Sequence, residues 1–293
     1  MARTRPAGSL RDPDDLGIRL RAGYRGLSEA ELRTTAVTYL HQLTAGKVVG
    51  GLHRLGPLLD CPPRALHAAL PLLQHLEALV HRVDLGAGTG EEDRIAFDGI
   101  EHLLDAHGLD HPGIRRQVAL LKAYGRQRRR VVHELAEVDE EALRVLTHQR
   151  CSDVRLLVQV LCDVVGRDAA VALHALDPLL ALREIRDDLR PHAADRAFGH
   201  VNVLAEYRRL FGEVDGPHRL HREQLRLVEE LLARWSRLPR KRARALWPAV
   251  FDAPIPRRLR RLPRVLLVRQ ARARLLASVP EPVLAPPVGA AGR

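Results

Sequence analysis

Apolar residues recur along this chain at spacings of three and four residues, and runs in which apolar and polar residues alternate are nearly absent. A period near 3.6 places side chains on one face of an α-helix, whereas a half-buried strand would need a period of two. Ser28 and Glu31 stand at capping-box spacing before one such pattern, and Gly166 and Pro191 end two others. The patterns number roughly ten. They predict an all-α protein folded as a single large helical bundle.

Composition divides the chain into three predicted parts. Residues 1–27 form an N-terminal extension, 28–236 the helical bundle, and 237–293 a set of Arg- and Pro-rich helices ending in a disordered tail. No apolar run reaches the roughly 18–20 residues that span a bilayer, and the first residues lack the apolar stretch of a secretory signal. We therefore expect a soluble, cytoplasmic protein. The chain has three cysteines, Cys61, Cys151 and Cys162. They are too few and too scattered for a disulfide framework or a zinc site.

The positive charge of the chain is concentrated near its C-terminus. From His218 to Arg293 there are 18 Lys and Arg against 5 Asp and Glu, whereas the preceding residues hold 29 and 31. Such a region is typical of proteins that bind nucleic acid, an anionic membrane or a phosphorylated substrate. Nearly all of the basic residues are arginine, however, which is also what a GC-rich genome produces. Both interpretations of the basic region stay open.

Three acidic residues share one face of a helical pattern that is otherwise largely apolar. In "LALREIRDDL", Glu184 lies three residues before Asp187 and four before Asp188. One interpretation is a solvated face whose acids are neutralised by neighbouring arginines, namely Arg183, Arg186 and Arg190. The other is a central helix whose carboxylates need a partner, for which a hard divalent cation such as magnesium is suited.

The segment "REIRDDL", followed by Asp195 and "GHVN", resembles the second metal-binding motif of the class I isoprenoid synthases. This all-helical superfamily contains the trans-prenyltransferases and the terpene synthases. "RCSDVRLLVQVL" also resembles the helix before that motif in small actinobacterial relatives, so the resemblance is to a divergent member of that type. It covers residues 150–212. It implies the isoprenoid synthase bundle, Mg²⁺ as cofactor and an allylic prenyl diphosphate as substrate.

The resemblance also implies a set of site residues. Superfamily members hold metal through acids on two facing helices and bind the remaining phosphate oxygens with arginines. The metal candidates are Asp187, Asp188, Glu184 and Asp195, with Glu77 and Asp84 on an earlier helix. The diphosphate candidates are Arg150, Arg155 and Arg208, and two further polar candidates are Asn202 and Glu206. The resemblance assigns no catalytic residue.

Two functions follow from these observations. The first is a magnesium-dependent isoprenoid enzyme that ionises the diphosphate leaving group for prenyl transfer or terpene cyclisation. The alternative is a non-catalytic helical protein that binds nucleic acid or an anionic membrane through the Arg-rich C-terminal region. In "PIPRRLRRLPRVLLVRQARARLL" apolar residues are interspersed with arginine, so an amphipathic surface helix in weak contact with an anionic membrane also stays open, and nucleic acid is the less expected partner. A homodimer also stays open.

Overall fold

The computed structural model describes residues 52–85, 90–132, 138–189 and 201–282, and within these ranges every regular element is a helix. This confirms the all-α prediction. The α-helices are α1 (Leu52–Leu55), α2 (Pro63–Leu85), α3 (Gly90–Ala106), α4 (Pro112–Val132), α5 (Glu140–Arg150), α6 (Ser152–Val164), α7 (Ala170–Asp188), α8 (Val203–Arg237), α9 (Arg240–Phe251) and α10 (Arg264–Ser278), and a 3₁₀ turn spans Arg257–Leu259. Over the same ranges, none of the helices has the length and apolar character that crossing a membrane requires.

Contacts between residues divide the chain into two compact units whose segments alternate along the sequence. The first unit consists of Met1–Gly125, Ser152–His174 and Arg244–Ile255. The second consists of Arg126–Cys151, Ala175–Ala243 and Pro256–Arg293. The predicted extension 1–27 and the last residues from 283 lie outside the described part of the chain.

The first unit is built around α2, which packs against α3 and α6. The apolar residues of α2 recur every three or four positions, so its buried side chains form one continuous face. They include Ala69, Leu72, Leu73, Leu76 and Val80. Trp247 of α9 is also fully buried, so this helix contributes to a core. All three cysteines are buried thiols, and burial raises the pKa of Cys61 to about 11.

The second unit is built around α8, which packs against α5 and α10. Gly212 interrupts α8 with φ 83° and ψ 169°, a conformation that only glycine adopts without strain. Directly after this break Gly216 approaches the preceding helical segment, where a Cβ atom would lie 2.5 Å from the Tyr207 carbonyl oxygen. The two glycines therefore allow the chain to turn tightly within α8.

A chain of alternating charges connects α5, α7 and α8 within the second unit. Its best-buried member is Glu223, whose side chain is 5% exposed and accepts hydrogen bonds from Arg144 and Arg226. The carboxylate raises the pKa of Arg226. Ion pairs continue in both directions and link, in order, Arg219, Glu140, Arg144, Glu223, Arg226, Glu230, Arg234 and Asp177. Glu223, the buried carboxylate of this ion-pair network, thus has two cationic partners, as burial of charge requires.

Candidate functional site

Arg150, the last residue of α5, is the centre of a compact cluster of predicted site residues. Its Nη1 atom lies 2.8 Å from both carboxylate oxygens of Asp188 and donates to the Val201 carbonyl oxygen at 3.0 Å. Its Nε atom lies 2.8 Å from Oε2 of Glu184. The structure therefore brings together two predicted metal ligands and one predicted diphosphate arginine, and these residues bind each other.

Asp188 also joins the end of α7 to the start of α8. Its Oδ2 atom accepts a hydrogen bond from the Val203 backbone N–H at 2.7 Å, and its carbonyl oxygen accepts one from Asn202 Nδ2 at 3.0 Å. Asn202 caps α8 by accepting from Ala205 N–H. A carboxylate at a helix N-terminus is favoured because the unpaired N–H groups there carry partial positive charge. We call Arg150, Glu184, Asp188 and Asn202 the Asp188 junction.

The other predicted residues of the second unit lie outside this junction. Asp187 is exposed, although it is the neighbour of the buried Asp188. Arg208 forms an ion pair with Glu213 at 3.3 Å. Glu206 pairs with Arg209 at 2.8 Å on the surface of α8.

The remaining predicted residues belong to other parts of the chain. Glu77 of α2 and Arg155 of α6 are both buried and belong to the first unit. Asp84 lies in α2, but its side chain is not among those described. Asp195 lies outside the described residues.

The carboxylates of the Asp188 junction are arranged for a guanidinium rather than for magnesium. Both oxygens of Asp188 accept hydrogen bonds from Arg150, and one also accepts from a backbone amide. Magnesium requires oxygen lone pairs in a near-octahedral set, and a guanidinium in contact with the same oxygens repels a divalent cation. In the described ranges no group of three or more His, Cys, Asp or Glu side chains could hold a metal ion. The magnesium site stays a prediction.

A groove of about 540 Å³ lies between α3 and α4 in the first unit. Leu104, Ile114 and Val118 line it together with charged side chains. Two ion pairs account for four of these charges, because Arg115 binds Asp110 and Lys122 binds Glu101, each at 2.6 Å. The groove therefore offers apolar area beside two neutralised ion pairs and the carboxylate of Asp105.

The second unit also carries a dense positive surface near its C-terminus. All eight arginines between Pro256 and Pro280 are exposed, and the sequence from Ala253 to Pro280 contains no Asp or Glu. We call these residues the arginine surface: Arg257, Arg258, Arg260, Arg261, Arg264, Arg269, Arg272 and Arg274. Four buried apolar side chains hold this segment in place, namely Leu259, Leu267, Ala271 and Leu275.

Much of the arginine surface has no acidic partner in the described part of the chain. Arg272 pairs with Glu229 of α8 at 2.6 Å, and both side chains are more than half exposed. Arg264 donates to the Leu238 carbonyl oxygen at 3.1 Å, which adds no negative charge. Four further members of this surface have no carboxylate of the described residues within ion-pair distance: Arg257, Arg258, Arg261 and Arg269. Most of the positive charge therefore faces solvent.

Comparisons with protein-family models, curated proteins and solved structures found no match to this chain.

Proposed function

We propose that this protein binds a phosphate-bearing polyanion through the arginine surface. The observation that carries the proposal is the exposure of eight arginines in a segment without a single acidic residue. Guanidinium groups recognise phosphate oxygens through paired, charge-assisted hydrogen bonds and remain charged at every physiological pH. A cluster of such groups on a folded support is therefore suited to a surface or polymer that repeats the phosphate group.

The distribution of charge favours a local rather than a general attraction. The residues before His218 hold 29 basic and 31 acidic side chains, so they contribute no net positive charge. Each arginine near an anionic surface adds roughly 1 kcal/mol of binding, and the attraction decays over about 10 Å at 0.1 M salt. Binding by this surface should therefore be strong at low salt and should weaken as salt is added.

The test replaces four members of the arginine surface in the full-length protein: Arg257→Gln, Arg258→Gln, Arg260→Gln and Arg261→Gln. A matched variant removes the same charge from exposed arginines elsewhere: Arg64→Gln, Arg116→Gln, Arg167→Gln and Arg222→Gln. Binding is measured to phosphatidylglycerol vesicles and to duplex DNA. We expect the first variant to bind about a thousandfold more weakly at low salt, as the loss of roughly 4 kcal/mol requires, and the second to bind nearly as the parent.

Equal binding by the two variants would mean that the arginines act only through net charge and would remove the proposal. Substitution is preferred to deletion of everything after Pro239. Such a deletion would remove Trp247, which is 0% exposed, and would damage a core along with the arginine surface.

Magnesium-dependent turnover of an allylic prenyl diphosphate is a second proposal. It is supported by the resemblance in residues 150–212 and by the grouping of Arg150, Glu184 and Asp188 at one place. For this function Arg150 would have to release both carboxylates to a metal ion and bind the diphosphate instead. The two proposals differ in the sign of the magnesium effect on diphosphate binding, which separates them.

A further inference from the structure

Helix α10 carries apolar side chains on its outward face as well as on its inward face. Leu267, Ala271 and Leu275, spaced by four residues, are buried where α10 packs in the second unit. Seven large aliphatic side chains are exposed in the described ranges, and three of them lie on this one helix. Val265 is 71% exposed, Leu266 43% and Leu276 36%. Core packing does not explain these three.

The exposed aliphatic residues share a row with members of the arginine surface. Val265, Arg269, Arg272 and Leu276 follow one another at spacings of four, three and four, which places them along one side of α10. All four are exposed. Leu266 lies three residues before Arg269 and so flanks the same row. We call Val265, Arg269, Arg272 and Leu276 the outer row.

We infer that the outer row rests in the interface of an anionic lipid bilayer, with α10 parallel to the membrane plane. This inference rests on the proposed function and identifies the phosphate-bearing partner as a lipid bilayer. Nucleic acid offers phosphates to Arg269 and Arg272, but its phosphate backbone offers no apolar environment to Val265 and Leu276. A bilayer offers both, because phosphate headgroups lie directly above acyl chains.

The side chains of the outer row match the depth profile of such an interface. Valine and leucine gain from leaving water for the acyl boundary. Arginine buries its methylene stem along apolar surface while its guanidinium stays at the level of the phosphates. Helix α10 need not leave the protein, since its inward face keeps Leu267, Ala271 and Leu275 packed. The contact is therefore a docking face on a folded domain.

The experiment separates the apolar part of the contact from the charge. Val265→Ser with Leu276→Ser removes two exposed aliphatic side chains and leaves every arginine in place. The matched control is Val145→Ser with Val171→Ser, since both of these valines are 39% exposed on other helices. The full-length proteins are sedimented with vesicles of phosphatidylcholine alone or mixed with phosphatidylglycerol, and titrated with duplex DNA.

We expect the outer-row variant to bind the phosphatidylglycerol vesicles about a hundredfold more weakly, at roughly tenfold for each side chain. The control variant should bind as the parent, and phosphatidylcholine alone should bind none of the proteins. Unchanged vesicle binding by the outer-row variant would overturn the inference and leave the proposed function intact. Tighter binding to DNA than to vesicles would also overturn it, with nucleic acid as the partner.

Two further outcomes are distinguishable. If the parent is a dimer in light scattering and the outer-row variant is a monomer, the row is an interface between two copies and the membrane inference is wrong. If the parent binds neither vesicles nor DNA at low salt, the proposed function and the inference fail together.

Discussion

Asp187 and Asp188 are neighbours in the sequence but differ in what surrounds them. Asp188 is buried against Arg150 and the start of α8, whereas Asp187 is exposed. In Asp188→Asn, Arg150 keeps Glu184 but loses its more buried partner, and loss of one partner of a buried ion pair costs about 3–5 kcal/mol. We expect Asp188→Asn to lower the free energy of unfolding by about 3 kcal/mol and Asp187→Asn to change it by about 0.5 kcal/mol or less. Urea unfolding measures both, and equal effects would contradict the burial difference.

The sequence predicts part of this site. Spacing alone places Glu184, Asp187 and Asp188 on one helical face, and α7 does run through these positions to Asp188. It cannot predict that Arg150, 38 residues away, binds Asp188. Spacing also cannot tell which of the two aspartates is buried, because one helical face can be half buried and half exposed. Arginines three or four positions away are the partners that spacing suggests, and the observed partner is non-local.

The carboxyl group of Asp110 offers a pH test at the scale of one side chain. Arg115 donates hydrogen bonds to its two oxygens at 2.7 and 2.6 Å, and these bonds hold the pKa of Asp110 below its ordinary value. Because the folded-state pKa is the lower one, the stabilising contribution exists above the unfolded-state pKa. It is lost as pH falls through the folded-state pKa. We expect the NMR titration midpoint of Asp110 to lie below that of the same residue in the unfolded chain. In Arg115→Gln the midpoint should return to the unfolded-chain value. An unshifted midpoint would rule the pair out in solution.

At the scale of elements, the helices largely follow the sequence patterns. The pattern that stops at Gly166 predicts a helix end there, and α6 ends at Val164. The pattern that stops before Pro191 predicts a helix end there, and α7 ends at Asp188. These boundaries are predictable because caps and prolines act locally.

The break within α8 lies at Gly212, directly before "EVDGPH". Residues 213–218 are helical, although they include Gly216 and Pro217. Pro217 lies within the second helical segment, five residues after the break.

Two glycines make the tight turn in α8 testable. Gly216→Ala would place a Cβ atom 2.5 Å from the Tyr207 carbonyl oxygen, so backbone must shift. Overpacking of this kind costs about 1–3 kcal/mol. Gly125→Ala is the matched control, since nothing lies within 4 Å of the position its new methyl group would take and alanine favours a helix interior by about 0.5–1 kcal/mol. We expect thermal unfolding to shift down for the first variant and up for the second. Shifts of the same sign would contradict the turn.

For the whole molecule, local patterns say little about which helices pack together. The sequence predicts one large bundle, and the helical content is confirmed, but each of the two contact-defined units collects three segments of the chain. Helical periodicity predicts that each helix has an apolar face, but it does not predict which other helix packs against that face. The basic C-terminal region is visible in the sequence. Which side of α10 faces outward is not visible there, because apolar residues lie on both sides of this helix.

The whole protein also allows the two proposed functions to be separated with one ligand, farnesyl diphosphate. Its diphosphate can bind the arginine surface directly, and magnesium then weakens binding by neutralising the phosphate oxygens. At a carboxylate site the sign is reversed, because magnesium must bridge the acids and the diphosphate. A ligand that binds only the folded state raises the thermal unfolding midpoint, and the rise increases with the logarithm of its affinity. The sign of the magnesium effect on that midpoint therefore identifies the site.

We expect farnesyl diphosphate to raise the unfolding midpoint, and magnesium to reduce that rise. This expectation follows from the engagement of Asp188 and Glu184 with Arg150, which leaves the arginine surface as the stronger anion site. Asp187→Asn is the matched variant for the carboxylate site, because Asp187 is exposed whereas Asp188 is buried against Arg150. It should respond as the parent does. If magnesium instead enlarges the rise and Asp187→Asn abolishes that gain, the acids ligate metal, Arg150 releases them in solution, and the isoprenoid proposal replaces the first.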